Sequence, residues 1–231
     1  MGDHLLFTLS GPMAAFGSYA GHERRGSDLA PGRSAVLGLL AAALGVERDD
    51  HDAWDALRQY RTATRLLTVS APLRDYHTAQ TVPQRIRRPD GRRAALEAVG
   101  RGVHTLVTVR DYRTDVAIAV AVWAETARWP LSDLAEALRA PVFVLYLGRK
   151  SCPPAAPLGA EVVRAPDPVT ALRAAAPPTF LHRARPGAVA SDPFPGGRPD
   201  RVETAPVQPL DRTRWHFGQG EVWYFDSGSD V

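Results

Sequence analysis

The residues best equipped for chemistry lie in one run two-thirds of the way along the chain, Leu145-Tyr146-Leu147-Gly148-Arg149-Lys150-Ser151-Cys152-Pro153. It begins apolar, turns at a glycine, and then sets two cations and a hydroxyl side by side. Lys150 is the single lysine and Cys152 the single cysteine. Free backbone N–H groups, two positive charges and a hydroxyl at one turn are what a phosphate needs. Taken alone, the run better describes a solvated surface turn. It mimics only the tail of a P-loop, because no Gly-x-x-x-x-Gly-Lys-Ser/Thr occurs.

Three other groups could act with it. Asp75-Tyr76-His77-Thr78 gathers an acid, an aromatic ring and an imidazole. His77 could move a proton, or Tyr76 and His77 could hold a nucleobase by stacking and hydrogen bonding. Gly11-Pro12-Met13-Ala14-Ala15-Phe16-Gly17 has glycines that admit close backbone approach, and Phe16 could stack on a base or face the core. Arg33-Ser34 stands at a helix start, where orphan N–H donors attract anions and a serine can cap. The remaining histidines show no metal-ligand spacing, so no metal and no cofactor is expected. The carboxylates form no catalytic pair.

Positioning these groups requires alternating strands and helices. His4–Leu9 reads as a strand that breaks at Gly11-Pro12, with a loop to Arg25. Ala35–Leu44 reads as a helix stopped by Gly45. A helix over Asp50–Tyr60 and a strand over Thr62–Ser70 follow. Leu73–Arg110 is polar and arginine-dense, with Arg85, Arg87, Arg88, Arg92 and Arg93 around the turn signal Pro89-Asp90-Gly91. It reads as a long hairpin or a surface loop, with a strand over Val103–Val109. Asp115–Ala124 alternates valine or isoleucine with alanine and is the clearest strand. A helix over Ser132–Arg139 and a strand over Val142–Leu147 complete a βαββαβ order, the ferredoxin-like or RNA-recognition-type arrangement of an α+β protein.

The 231 residues are enough for one large domain or a domain with an appendage. We expect a core over residues 1–152 with a thumb inserted at about 80–110. Residues 153–231 form an irregular, proline-rich β extension, since thirteen of the 20 prolines lie at Pro153 or later. Strands are expected at Val202–Val207 and Glu221–Phe225. One cysteine excludes an internal disulfide and fits a cytoplasmic setting. The short apolar stretch Leu5–Leu9 is not a signal peptide, and no run reaches the ~18–20 apolar residues of a membrane span. A net charge of +3 does not by itself establish nucleic-acid binding.

In order and spacing, these motifs resemble CasD, the type I-E CRISPR Cascade subunit family of the repeat-associated mysterious protein superfamily. The matching pieces are Gly11-Pro12-Met13 with Phe16-Gly17, Arg33-Ser34 through Gly45, Leu73 through Thr78, and Tyr146 through Pro154. They span about the first two-thirds of the chain. The resemblance implies a non-catalytic subunit that grips the CRISPR RNA 5′ handle and caps the backbone filament in antiviral defence. Its implied partners are the crRNA, the backbone subunit CasC and the large subunit CasA. Carried over residue by residue, handle binding falls to Gly11, Pro12, Met13, Phe16, Gly17, Arg33, Ser34, Tyr76, His77, Thr78, Arg149, Lys150 and Ser151. The arginine-dense segment becomes a thumb that orders on assembly. Phe16 stands where relatives commonly have Trp, and Ala15 where a polar residue is common. The competing expectation is a metal-independent endoribonuclease of CRISPR repeats that uses Tyr76, His77 and Lys150.

Overall fold

The computed structural model describes residues 1–17, 23–83, 91–175, 177, 179, 185–211 and 216–227. Its frame is one large, mainly antiparallel sheet flanked by a few helices. The strands are β1 (Gly2–Ala14), β2 (Arg24–Arg25), β3 (Arg61–Leu66), β4 (Ala71–Thr81), β5 (His104–Trp123), β6 (Glu161–Ala165), β7 (Val189–Ser191), β8 (Arg201–Asp211) and β9 (His216–Phe225). The helices are α1 (Arg33–Leu44), α2 (His51–Leu57), α3 (Arg92–Val99), α4 (Leu131–Arg139) and α5 (Pro168–Ala174). The main path of the sheet runs β6-β1-β5-β3-β7-β9-β8, while β2 and β4 pair only with β5.

The alternation in β5 decides which layer covers which face. Val116, Ile118, Val120 and Val122 point into a core that they share with Leu5, Phe7 and Leu9 of β1, Leu37 and Leu40 of α1, and Leu134 and Leu138 of α4. Ala117, Ala119 and Ala121 face the other way, where small side chains admit Leu172 of α5, Leu6 and Phe225. Full burial of each such leucine is worth about 1.5–3 kcal/mol. One period-two pattern therefore builds two cores, a bulky one under α1 and α4 and a shallow one under α5.

Several expectations change. β1 does not break at Gly11-Pro12 but continues to Ala14. Pro12 has no N–H to give, and Asp115, opposite it in register, takes a positive φ of 54°. Here β5 passes from the core sheet into a two-stranded arm. The two expected strands Val103–Val109 and Asp115–Ala124 are one continuous strand of 20 residues. Its first half pairs with β4, from Ala71↔Thr114 out to Thr81↔His104. The arm thus starts at about residue 71, nearer the core than the expected 80. Arg85, Arg87 and Arg88 lie outside the described residues.

Val142–Leu147 forms no strand. Val142 and Phe143 donate to the carbonyls of Ala43 and Ala42 at the end of α1, which satisfies a helix terminus instead of a sheet. The strand antiparallel to the outer edge of β1 is β6, some fifteen residues later. The proline-rich last third is more regular than expected, since β7 pairs with β3 and β9 with β7. Among the described residues, no helix is long and apolar enough to cross a membrane.

Candidate nucleic-acid interface

The turn Gly148–Ser151 is a closed loop fixed against the end of β1. Leu147 N–H donates to Cys152 O at 2.7 Å and Cys152 N–H to Arg149 O at 2.9 Å. Ala15 N–H donates to Leu147 O at 3.0 Å, and Ala155 N–H to Ser10 O at 2.8 Å. Leu147 and Cys152 are buried, while Lys150 and Ser151 are exposed. The apolar flanks anchor the loop and leave its polar crest in solvent.

Close backbone approach sets this geometry. Gly148 has φ 86°, and a Cβ on it would stand 1.9 Å from Ala15 O. A Cβ on Gly17 would stand 2.8 Å from Gly26 O. Gly11 is buried in the same junction, against Leu147 and the carbonyl of Pro153. Pro12 is exposed and Met13 half-buried against the bulky core. The glycines at 11, 17 and 148 thus hold three chain segments at van der Waals distance.

Phe16 is 5% exposed and belongs to the bulky core, so its ring is not available to a base. Its backbone does the work: Asp28 N–H donates to Phe16 O, and Phe16 N–H donates to Ser27 Oγ. These bonds bring Arg24 and Arg25 back beside β5, in register with Val109 and Arg110.

Arg149 lies at the root of the arm. Its Cζ sits 4.6 Å over the ring of Tyr112, and Nη2 donates to Arg25 O at 3.3 Å. A guanidinium on an aromatic face is well placed for both cation–π attraction and anion binding. Its Nη1 is buried without a hydrogen-bond partner.

Arg33 is placed elsewhere and is occupied by the protein itself. Nη2 donates to Arg58 O at 2.6 Å and to Tyr60 O at 2.8 Å, and Nε stands 3.2 Å from Asp192 Oδ2. Asp192 also accepts from Thr62 N–H and the Thr62 hydroxyl. Burial pushes its carboxyl up from the ordinary value, and Arg33 and Thr62 pull it back. Thr62 pairs with Val122, whereas Arg25 pairs with Arg110. Those positions are twelve residues apart on β5, about 40 Å along the strand. Arg33 braces the far end of the sheet with its donors taken by the protein, and Ser34 beside it stands within the first turn of α1.

Tyr76 and His77 are on β4, paired with Val109 and Thr108. Successive strand residues face opposite sides. Tyr76 is 66% exposed on the side that carries Arg74, Arg24 and Asp111. Asp111 bridges the two arginines, 2.7 Å from Arg74 Nε and 3.0 Å from Arg24 Nη2. The Arg74 hydrogen bond, joined by Arg24, holds its carboxyl below the usual range. His77 faces the other side, with Nε2 2.5 Å from Asp75 Oδ2 but outside hydrogen-bonding geometry. Exposed Thr78 lies one step further out, on the face of Tyr76. At the tip, Arg92 donates to Gln80 O and Arg93 pairs with Glu97 within α3. Among the described residues no cluster of His, Cys, Asp or Glu could hold a metal ion.

Sequence reasoning missed Arg25, Arg110 and Tyr112, which share one face of the arm root with Arg149. Arg110-Asp111-Tyr112 has strand alternation, but the parallel pairing of β2 with β5 has no local signature.

Known proteins resemble this chain in sequence and fold. The family described as CRISPR-associated protein (Cas_Cas5) matches residues 4–222. The CRISPR system Cascade subunit CasD of Escherichia coli (strain K12) is 34% identical over 184 residues, 74% of this chain and 76% of that protein. A solved chain of a CRISPR RNA-guided surveillance complex superposes with a TM-score of 0.66 at 26% identity, covering 96% of this chain and 89% of the other. A second, described as a Cas protein, has the same fold, with a TM-score of 0.59 over 96% and 94% of the two chains at 24% identity. The chain belongs to the CasD family of Cas5 CRISPR-associated proteins.

Proposed function

We propose that this chain is a non-catalytic subunit of a type I-E Cascade surveillance complex and that it holds the 5′ handle of the crRNA. The loop Gly148–Ser151 carries the reading: it is locked onto β1 by its backbone while Arg149, Lys150 and Ser151 remain at the root of an exposed arm. Phosphates of a single strand would meet Lys150 and Arg149 there. The arm β4–β5 would lie over the neighbouring nucleotides and reach the backbone subunit, with the large subunit a further partner. The sequence β1-α1-β3-β5-α4-β6, with sheet order β6-β1-β5-β3, supports reading the core as ferredoxin-like with the arm inserted between its second and third strands. Residues 153–231 would then be an extension that supplies β6 to that core and continues its sheet through β7.

The opposite facing of Tyr76 and His77 speaks against a joint catalytic role with Lys150. Expression beside the chain's genomic neighbours tests the proposal. RNA of defined length should co-purify with the wild type and be lost with Arg149→Ala/Lys150→Ala. Site-specific, His77-dependent cutting of repeat RNA by the pure chain in EDTA would replace the binding role with an endoribonuclease.

A further inference from the structure

We infer that Arg110 and Arg149 form a two-guanidinium clamp for one phosphodiester of the bound RNA, a site that rests on the RNA-binding reading above. Arg110 and Tyr112 are two positions apart on one face of β5, about 7 Å along the strand. The Arg149 guanidinium lies over the Tyr112 ring, 4.6 Å from its centre. Arg110 thus starts from the same face of β5 as the buried ring that carries Arg149.

Both carry a nitrogen that lacks what it needs. Arg149 Nη1 and Arg110 Nε are buried from solvent, and neither has a hydrogen-bond partner. A guanidinium N–H removed from water and left unpaired carries its full desolvation cost, so native structures seldom keep one without a protein, water or ligand partner. Here two occur on the same face. Asp75 is the carboxylate in register with Arg110, but it is turned to His77, 2.5 Å from Nε2. Asp111, next along β5, points to the opposite face and is taken by Arg74 and Arg24. Arg25, in register with Arg110, adds a third cation to the same side.

An anion with several acceptor oxygens would satisfy both nitrogens. A phosphodiester fits, because its two free oxygens can accept from two guanidinium groups at once. The stacked Arg149 is held by Tyr112 and by Arg25 O, so the clamp is half built before RNA arrives. Recognition at this step is of the backbone, not of a base.

The test uses the full chain and synthetic single-stranded RNA of the crRNA 5′ sequence, with each phosphodiester replaced in turn by a neutral methylphosphonate. Wild type should show one linkage whose neutralisation weakens binding about tenfold beyond the others. Arg110→Gln should lose about tenfold on the native RNA. It should no longer respond to that linkage, while its response to the rest of the scan persists. Arg110→Lys keeps the charge but offers no Nε, so it should keep the salt dependence and still lose affinity. A thermal melt of each variant checks folding. Wild-type affinity in Arg110→Gln, or an equal loss at every linkage, overturns the clamp and leaves RNA binding standing. A wild-type chain that binds no crRNA, alone or assembled with its neighbours, overturns both.

Discussion

A Cβ placed on Gly148 would lie 1.9 Å from the carbonyl oxygen of Ala15, nearer than any real contact. The loop that carries Arg149 and Lys150 is therefore seated on β1 by an absent side chain. Gly148→Ala adds this overlap to the cost of a left-handed φ of 86°. Gly159 is a useful contrast, since its φ is 63° but a Cβ there meets nothing within 4 Å. Gly159→Ala should cost about 1–2 kcal/mol, the ordinary left-handed penalty. Gly148→Ala should cost more and should also weaken RNA binding. Thermal melts with RNA titrations check both, at about 2–4 °C per kcal/mol for a chain of this size. Equal effects of the two substitutions would contradict the seating.

Arg149 and Lys150 should separate from Arg33 by the kind of loss they cause. Arg149→Ala/Lys150→Ala should leave the fold intact and flatten the log–log salt dependence of RNA binding by roughly 0.7 for each phosphate no longer neutralised. Arg33→Ala should leave that slope alone and destabilise the chain. It strands Asp192, whose side chain is 9% exposed, and removes donors to Arg58 O and Tyr60 O. Breaking such a buried pair costs about 3–5 kcal/mol. A changed salt slope in Arg33→Ala would return that residue to the RNA site.

These two arginines show what local sequence reveals and what it hides. The Gly148-Arg149-Lys150-Ser151 turn was legible because glycine, charge and hydroxyl are adjacent and the apolar anchors Leu147 and Cys152 flank them. Arg33 looked the same, a cation at a helix start. Its partner Asp192 is about 160 residues away, and only the pairing of β7 with β3 brings it close. Phe16 was ambiguous for a similar reason: a ring beside a glycine can face solvent or core, and its bridge to Asp28 decides. The core strands were readable because β5 alternates bulky and small side chains between two unlike cores. The arm was not, since both of its faces are largely exposed and leave no burial pattern. Val142–Leu147 misled because its apolar run has strand composition, yet Val142, Phe143 and Val144 remain exposed.

Stability should fall on mild acidification through His4. The imidazole is 4% exposed, its Nδ1 has no partner, and its ring lies 6.0 Å from that of Trp123. Burial lowers its pKa from the ordinary 6.5, and a Gly2 backbone bond with Asp167 and Asp3 opposes this only in part. The folded state therefore takes up the proton less readily than the unfolded chain. The contribution of neutral His4 is fully present above pH 6.5 and is lost as pH falls from there through the lower folded value. The slope can reach at most about 1.4 kcal/mol per pH unit for one proton. Melting points of wild type and His4→Phe across about pH 7.5 to 5.5, about one unit on either side of the ordinary histidine value, give the check. Parallel profiles for the two proteins would refute a buried neutral imidazole.

The arm should be the least protected part of the sheet until the chain is assembled. β4 pairs with β5 alone, along its whole length, in a ribbon that leaves the core. Tyr76, Leu73, Leu106 and Val107 are each more than 40% exposed on it. Beyond the β2 pairing at Val109 and Arg110 and the buried Tyr112 it is a two-stranded ribbon with little packed face, which is marginal in water. The Arg74–Asp111–Arg24 bridge does little to offset this, since solvent and salt screen exposed ion pairs. Residues 116–122 of the same strand β5 are buried between β1 and β3. Hydrogen exchange should therefore divide β5 along its length, with amides of 104–108 exchanging orders of magnitude faster than those of 116–122. In the ribonucleoprotein complex the outer half should become protected, because RNA and a neighbouring subunit would cover the exposed rings and guanidinium groups. Equal protection along the whole of β5 in the free chain would show that the arm is rigid by itself, and that assembly does not order it.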